Sequence, residues 1–158
     1  MDVITKPQIV KNSLVLLNTL VLVSLAGCAD YLPFSGGGLQ GELAPLPSSF
    51  TQAASQEIVQ LETNPADPYS VNLWVIGEED RLYVFAGDNE TKWVKHITEN
   101  SNVRLKLGGS IYELRAQRVT DADEFEWFAK AWDQKYGHRP RNEKVSETWL
   151  MRLLPRAS

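Results

Sequence analysis

The chain has 158 residues, a length that suits one domain, and its 43% hydrophobic and 23% charged residues are the make-up of a folded protein. A formal net charge of −4 gives no global basis for nucleic-acid binding. One cysteine excludes an internal disulfide and any Cys-rich zinc or iron–sulfur centre, and two histidines leave little for a His-based metal site.

The first element is an address. Lys6 and Lys11 precede an apolar run from Leu14 to Ala26, broken at Asn18, Thr19 and Ser24. Thirteen residues fall short of the ~20 that a membrane-spanning helix needs. A basic start, a short apolar run and small residues after it predict a secretory signal peptide over residues 1–27. A buried N-terminal helix is the competing reading. The run closes on Leu25-Ala26-Gly27-Cys28, which resembles a bacterial lipobox with the only cysteine of the chain at the cleavage position. That resemblance implies that Cys28 is acylated and becomes the new N-terminus. Two or three acyl chains anchor a protein stably where one does so only marginally. Ala29, rather than aspartate, follows, which points to a lipoprotein of the outer membrane facing the periplasm. Residues 28–49 hold Pro33, Pro45, Pro47 and Gly36-Gly37-Gly38, a composition suited to a lipidated N-terminus and flexible tether. The folded domain is then residues 50–158.

Strands open the domain. Glu57 to Thr63 alternates in the manner of a half-buried strand. Asn64-Pro65-Ala66-Asp67-Pro68 is a loop, because two prolines break continuous pairing. Ser70 to Ile76, a turn at Gly77-Glu78-Glu79-Asp80, and Arg81 to Ala86 form a hairpin. Asn89 is a candidate cap for a short helix whose buried stripe is Trp93, Val94 and Ile97. Val103 to Leu107 runs into Gly108-Gly109, a two-residue turn signal. With those glycines as the loop, Val103 faces Leu114, Leu105 faces Tyr112, and Arg104 faces Glu113 as an opposite-charge pair. Asp121-Ala122-Asp123-Glu124 starts a second helix with capping-box spacing. Phe125, Phe128, Ala129, Trp132 and Tyr136 form its core face, and Gly137 ends it. Residues 146–154 read as a last strand. This order predicts a mainly β (α+β) domain, a six-stranded antiparallel split β-barrel with two short helices.

No G-x-S-x-G, P-loop or H-E-x-x-H pattern occurs. His96 and His138 stand apart and read as surface residues, and no metal is expected. The pairs Glu78-Glu79 and Asp121/Asp123 suit a turn and a helix start. Core packing is the default for Trp93 and Trp132. A basic island is the informative feature: within residues 92–118, Lys92, Lys95, Arg104, Lys106, Arg115 and Arg118 face only Glu99 and Glu113. Lys92 falls in the first turn of the short helix, where free N–H groups and the helix dipole favour an anion.

The stretch Leu73 to Val119 resembles the pyridoxamine 5′-phosphate oxidase-like split β-barrels, especially their deazaflavin-dependent nitroreductase relatives. The match is carried by Arg81-Leu82-Tyr83-Val84, Lys92-Trp93-Val94-Lys95 and Glu99-Asn100-Ser101-Asn102-Val103-Arg104-Leu105, with Ser101 where the family has proline. The resemblance implies a homodimer with FMN or a deazaflavin at its interface. It places Thr91 and Lys92 in the turn that holds the cofactor phosphate, with Trp93 at its third position and Lys95 nearby. Flavin-binding members also carry a cation on the preceding strand, and Asn64 to Ile76 contains none. Two functions follow. One is an envelope lipoprotein acting as a flavin- or deazaflavin-dependent oxidoreductase. The other is a non-catalytic lipoprotein that binds a ligand or partner after losing the cofactor site.

Overall fold

Alternation of apolar and polar residues sets the architecture. In a computed structural model, which describes residues 36–156, Val103, Leu105 and Leu107 are buried while Arg104 and Lys106 between them are not. The signal segment 1–27, Cys28 and the start of the tether lie outside the described residues. Seven strands form one sheet: β1 (Glu42–Leu43), β2 (Ile58–Thr63), β3 (Tyr69–Glu78), β4 (Arg81–Phe85), β5 (Asn102–Leu107), β6 (Ser110–Arg118) and β7 (Leu150–Pro155). The order is β1-β6-β5-β2-β3-β4-β7, and an added β6–β7 pairing closes the last six into an antiparallel barrel. β1 runs parallel to β6 at Ser110–Ile111, and β7 pairs with β6 from Leu114 to Arg118. Among the described residues, three α-helices accompany the sheet: α1 (Thr51–Ala54), α2 (Lys92–Glu99) and α3 (Ala122–Tyr136).

The predicted β5–β6 register holds at Val103–Leu114, Arg104–Glu113 and Leu105–Tyr112. The β3–β4 hairpin forms as expected, but its turn is tighter. Gly77 and Glu78, expected in the turn, pair with Leu82 and Arg81. α1 explains why glycine is needed here. A Cβ on Gly77 would lie 2.5 Å from Ala53 Cβ and 2.7 Å from the Phe50 carbonyl oxygen, so α1 seats directly on this strand. Neither α1 nor β1 was expected, and both are too short to show a period.

Two cores follow from the period of two along each strand. Leu61, Val75, Leu82, Val84, Leu105, Met151 and Leu153 fill the barrel interior, with Trp93, Val94 and Ile97 of α2 packed among them. The neighbouring residues Ile76, Tyr83 and Leu150 face outward and are covered by Phe125, Phe128, Ala129 and Trp132 of α3. β4 is therefore buried on both faces. Asp121 caps α3, its Oδ1 accepting the Glu124 N–H at 2.8 Å, and Gly137 ends the helix at φ 77°.

Two segments differ from expectation. The last strand begins at Leu150, and Val145–Glu147 forms a 3₁₀ turn instead, with the Thr148 hydroxyl donating to the Lys144 carbonyl at 3.2 Å. Within the stretch expected as a tether, residues 36–44 run along the barrel. The Gly36 N–H donates to the Ser70 carbonyl at 2.9 Å, and the Ala44 N–H to that of Ile111 at 3.0 Å. Leu39 is buried, its N–H donating to Glu62 Oε2 at 2.6 Å. Composition suited a free chain, but an unpaired strand edge and a buried carboxylate supply partners for its backbone.

Candidate functional site

The site is the N-terminal mouth of α2. β4 delivers the chain to it, and a return contact with the C-terminal segment fixes the loop. The Ala86 N–H donates to the Trp149 carbonyl at 3.0 Å, and the Trp149 N–H to that of Gly87 at 2.8 Å. Thr91 then stands at the N-cap in extended conformation. A threonine there usually caps with its hydroxyl, but Thr91 makes no cap bond, and its Oγ1 is buried with no partner among the described residues. The first-turn N–H groups of Lys92, Trp93 and Val94 have no intrahelical carbonyl to bond. The mouth thus presents uncapped donors and the positive end of the helix dipole.

The four residues expected at the site part company in space. Lys92 is exposed at the mouth, its Nζ 4.4 Å from the centre of the Tyr69 ring. Thr91 lies beside it with its hydroxyl turned inward. Trp93 is only 3% exposed and packs in the barrel core, so only its backbone belongs to the mouth. Lys95 is exposed one turn on.

Two residues that the sequence did not mark join Lys92. Tyr69, at the start of β3, carries Lys92 on its face and His96 at its edge, with the latter rings 5.4 Å apart and nearly perpendicular. His96, read as a surface residue, is half-buried, and its Nδ1 lies 3.0 Å from the Thr63 hydroxyl. Helical spacing puts residues 92 and 96 on one face, a signal that could have paired them. Nothing in the sequence points to Tyr69.

Two other cations of the basic island do other work. Arg104 is opposite Glu113 in register, yet it binds Glu62 on β2 through two bonds of 2.6 Å, and these hold its guanidinium above its ordinary pKa. Glu62 is 4% exposed, so this cation is neutralised in place. Glu113 pairs with Arg156 at 3.0 Å instead. Arg118 lies 3.9 Å over the Trp149 ring and donates to the Ser146 and Thr148 carbonyls. β3 brings no cation, as the sequence indicated. The donor set at the mouth therefore fits a single phosphate, with one lysine, free N–H groups and an unpartnered hydroxyl.

No protein-family model and no curated protein matches the chain. Among solved structures, it is similar to a candidate pyridoxamine 5′-phosphate oxidase from Listeria innocua, with a TM-score of 0.54, 12% identity, and coverage of 68% of this chain and 90% of that one. It is similar to a FAD-binding protein from Mesorhizobium loti, with a TM-score of 0.50, 16% identity, and coverage of 68% and 86%. It is also similar to General Stress Protein 26 from Bacillus anthracis, with a TM-score of 0.50, 23% identity, and coverage of 66% and 84%. These likenesses and the closed strand order agree on architecture: the chain shares the split β-barrel fold of these proteins.

Proposed function

We propose that the barrel binds the phosphate of a flavin or deazaflavin at the N-terminal mouth of α2. The protein then serves as a flavin- or deazaflavin-dependent oxidoreductase, a homodimer anchored through lipid on Cys28 to the bacterial envelope. The observation that carries this reading is the uncapped mouth, where Lys92 stands beside the first-turn N–H groups and the Thr91 hydroxyl lacks a partner among the described residues. The bound group would supply two-electron hydride chemistry, while the protein would bind and orient it. Lys92 provides the charge, the helix N–H groups donate to phosphate oxygens, and a χ1 rotation between staggered wells turns the Thr91 hydroxyl outward to join them. The FAD-binding neighbour supports the reading at the level of fold.

One observation favours a second reading, a non-catalytic barrel that binds a ligand or partner. β3 carries no cation, and Arg104 on β5 is locked to Glu62, so neither supplies a second guanidinium or ammonium beside Lys92. Titrating the full chain with FMN and with a deazaflavin, followed by fluorescence quenching, separates the two. Binding is expected, and Lys92→Ala weakens it about tenfold or more, the worth of one charge-assisted bond. An unchanged affinity in that variant overturns the phosphate site. No binding at roughly tens of micromolar leaves the non-catalytic reading.

A further inference from the structure

We propose that an aromatic pocket at the C-terminal end of α3 binds a planar, uncharged heteroaromatic ligand carrying a hydrogen-bond acceptor. The pocket lies between the end of α3, the chain that follows it and the loop leading into α2, and encloses about 370 Å³. That is within the range of small-molecule sites, ~300–1,000 Å³. Trp74, Phe85, Trp132 and His138 form its walls. Ring centres are 5.3 Å apart for Trp74 and Trp132, 5.5 Å for Phe85 and Trp132, and 6.3 Å for Trp74 and His138. The rings meet at tilted and edge angles, the arrangements in which aromatic groups accept another ring.

Two features mark the pocket as a site and not merely as outer core. Trp74 is 42% exposed, a large apolar surface that a bound ring would cover. Trp132 is only 4% exposed, yet its Nε1–H is buried with no acceptor among the described residues. Unpaired buried donors are uncommon. A ring nitrogen or carbonyl on the ligand would satisfy this one. At the rim, Asp88 and Arg141 bring opposite charges, which favours a ligand without net charge. The pocket shares only the loop before α2 with the phosphate site and does not include Lys92, so this inference stands or falls apart from the cofactor reading.

Quinoline and naphthalene are isosteres that differ in one acceptor nitrogen, and they test the proposal directly. The full chain, labelled with ¹⁵N-tryptophan and held in lipid nanodiscs, is titrated with each probe at measured free concentration. Quinoline is expected to bind about tenfold more tightly than naphthalene and to shift the Trp132 indole resonance. Trp132→Phe abolishes that difference. Trp74→Ala weakens both probes, and Lys92→Ala alters neither. Should Trp132→Phe fail to fold, the resonance shift and Trp74→Ala decide the matter, because Trp74 is exposed. Equal affinity for the two probes, binding of neither, or full binding by Trp74→Ala overturns the proposal.

Discussion

Tyr83 shows how a single strand residue acquires properties that its neighbours in sequence do not predict. It is fully buried under α3, and its hydroxyl donates to Glu124 Oε1 at 2.7 Å. Burial first, and the Glu124 carboxylate second, push this phenol well above the usual tyrosine range. Tyr136, half-buried against β3, shifts the same way. In the unfolded chain a tyrosine titrates near ~10, so the unfolded state loses its proton first as pH rises. Folding stability therefore falls between about pH 10 and the higher folded value. Urea midpoints measured across that window should decline for the native chain. Tyr83→Phe should flatten the decline and cost about 1.5–3 kcal/mol at neutral pH through the lost bond to a carboxylate. An alkaline slope unchanged in the variant would assign the effect to other groups. The strand pattern made Tyr83 legible as a β residue, but its hydrogen-bond partner lies 41 positions away on α3.

Between elements, the docking of α1 on β3 depends on one missing side chain. Gly77 leaves room for Phe50 and Ala53, and Lys135 of α3 fastens the same corner by donating to the carbonyls of Ala53, Gln56 and Val75 at 3.1, 2.5 and 2.8 Å. Burial lowers the pKa of that ammonium. Gly77→Ala inserts a methyl group against backbone that cannot yield like a flexible side chain. It is expected to destabilise the barrel by about 1–3 kcal/mol, read as a lower denaturation midpoint. A neutral substitution would mean that α1 does not rest on β3. The contrast with the β5–β6 hairpin is instructive. There the Gly108-Gly109 turn, the apolar alternation and the charges all specify one register, and that register forms. At the Gly77 corner, the turn signal misled because glycine served close packing instead of chain reversal.

For the molecule as a whole, the address and the barrel are separable claims. Cys28→Ser in the full chain should lose membrane association in fractionation of the envelope, and a variant that still sediments with membranes would place the anchor elsewhere. Much of the barrel was legible because its information is short in range. Strand alternation, the paired glycines, the Asp121 cap and the α3 stripe are each contained within one element. The site was legible in part. Lys92 could be placed in a helix's first turn by position, since a helix start exposes its N–H groups whatever surrounds it, whereas Thr91 came only with the family resemblance and stands at the N-cap expected for Asn89. Tyr69 beneath Lys92, the hydrogen bond between Thr63 and His96, the locking of Arg104 by Glu62 and the meeting of Trp74 with Trp132 could not. Each joins residues that meet only when the sheet closes or a helix settles on it. The sequence by itself determined the order of the main elements and one hairpin register, because local period and turn chemistry encode them, and it alone motivates the proposed address. Which cations remain free, which histidine is half-buried and where an aromatic pocket opens were decided by tertiary structure alone, because closure of the barrel chooses partners that no local pattern records.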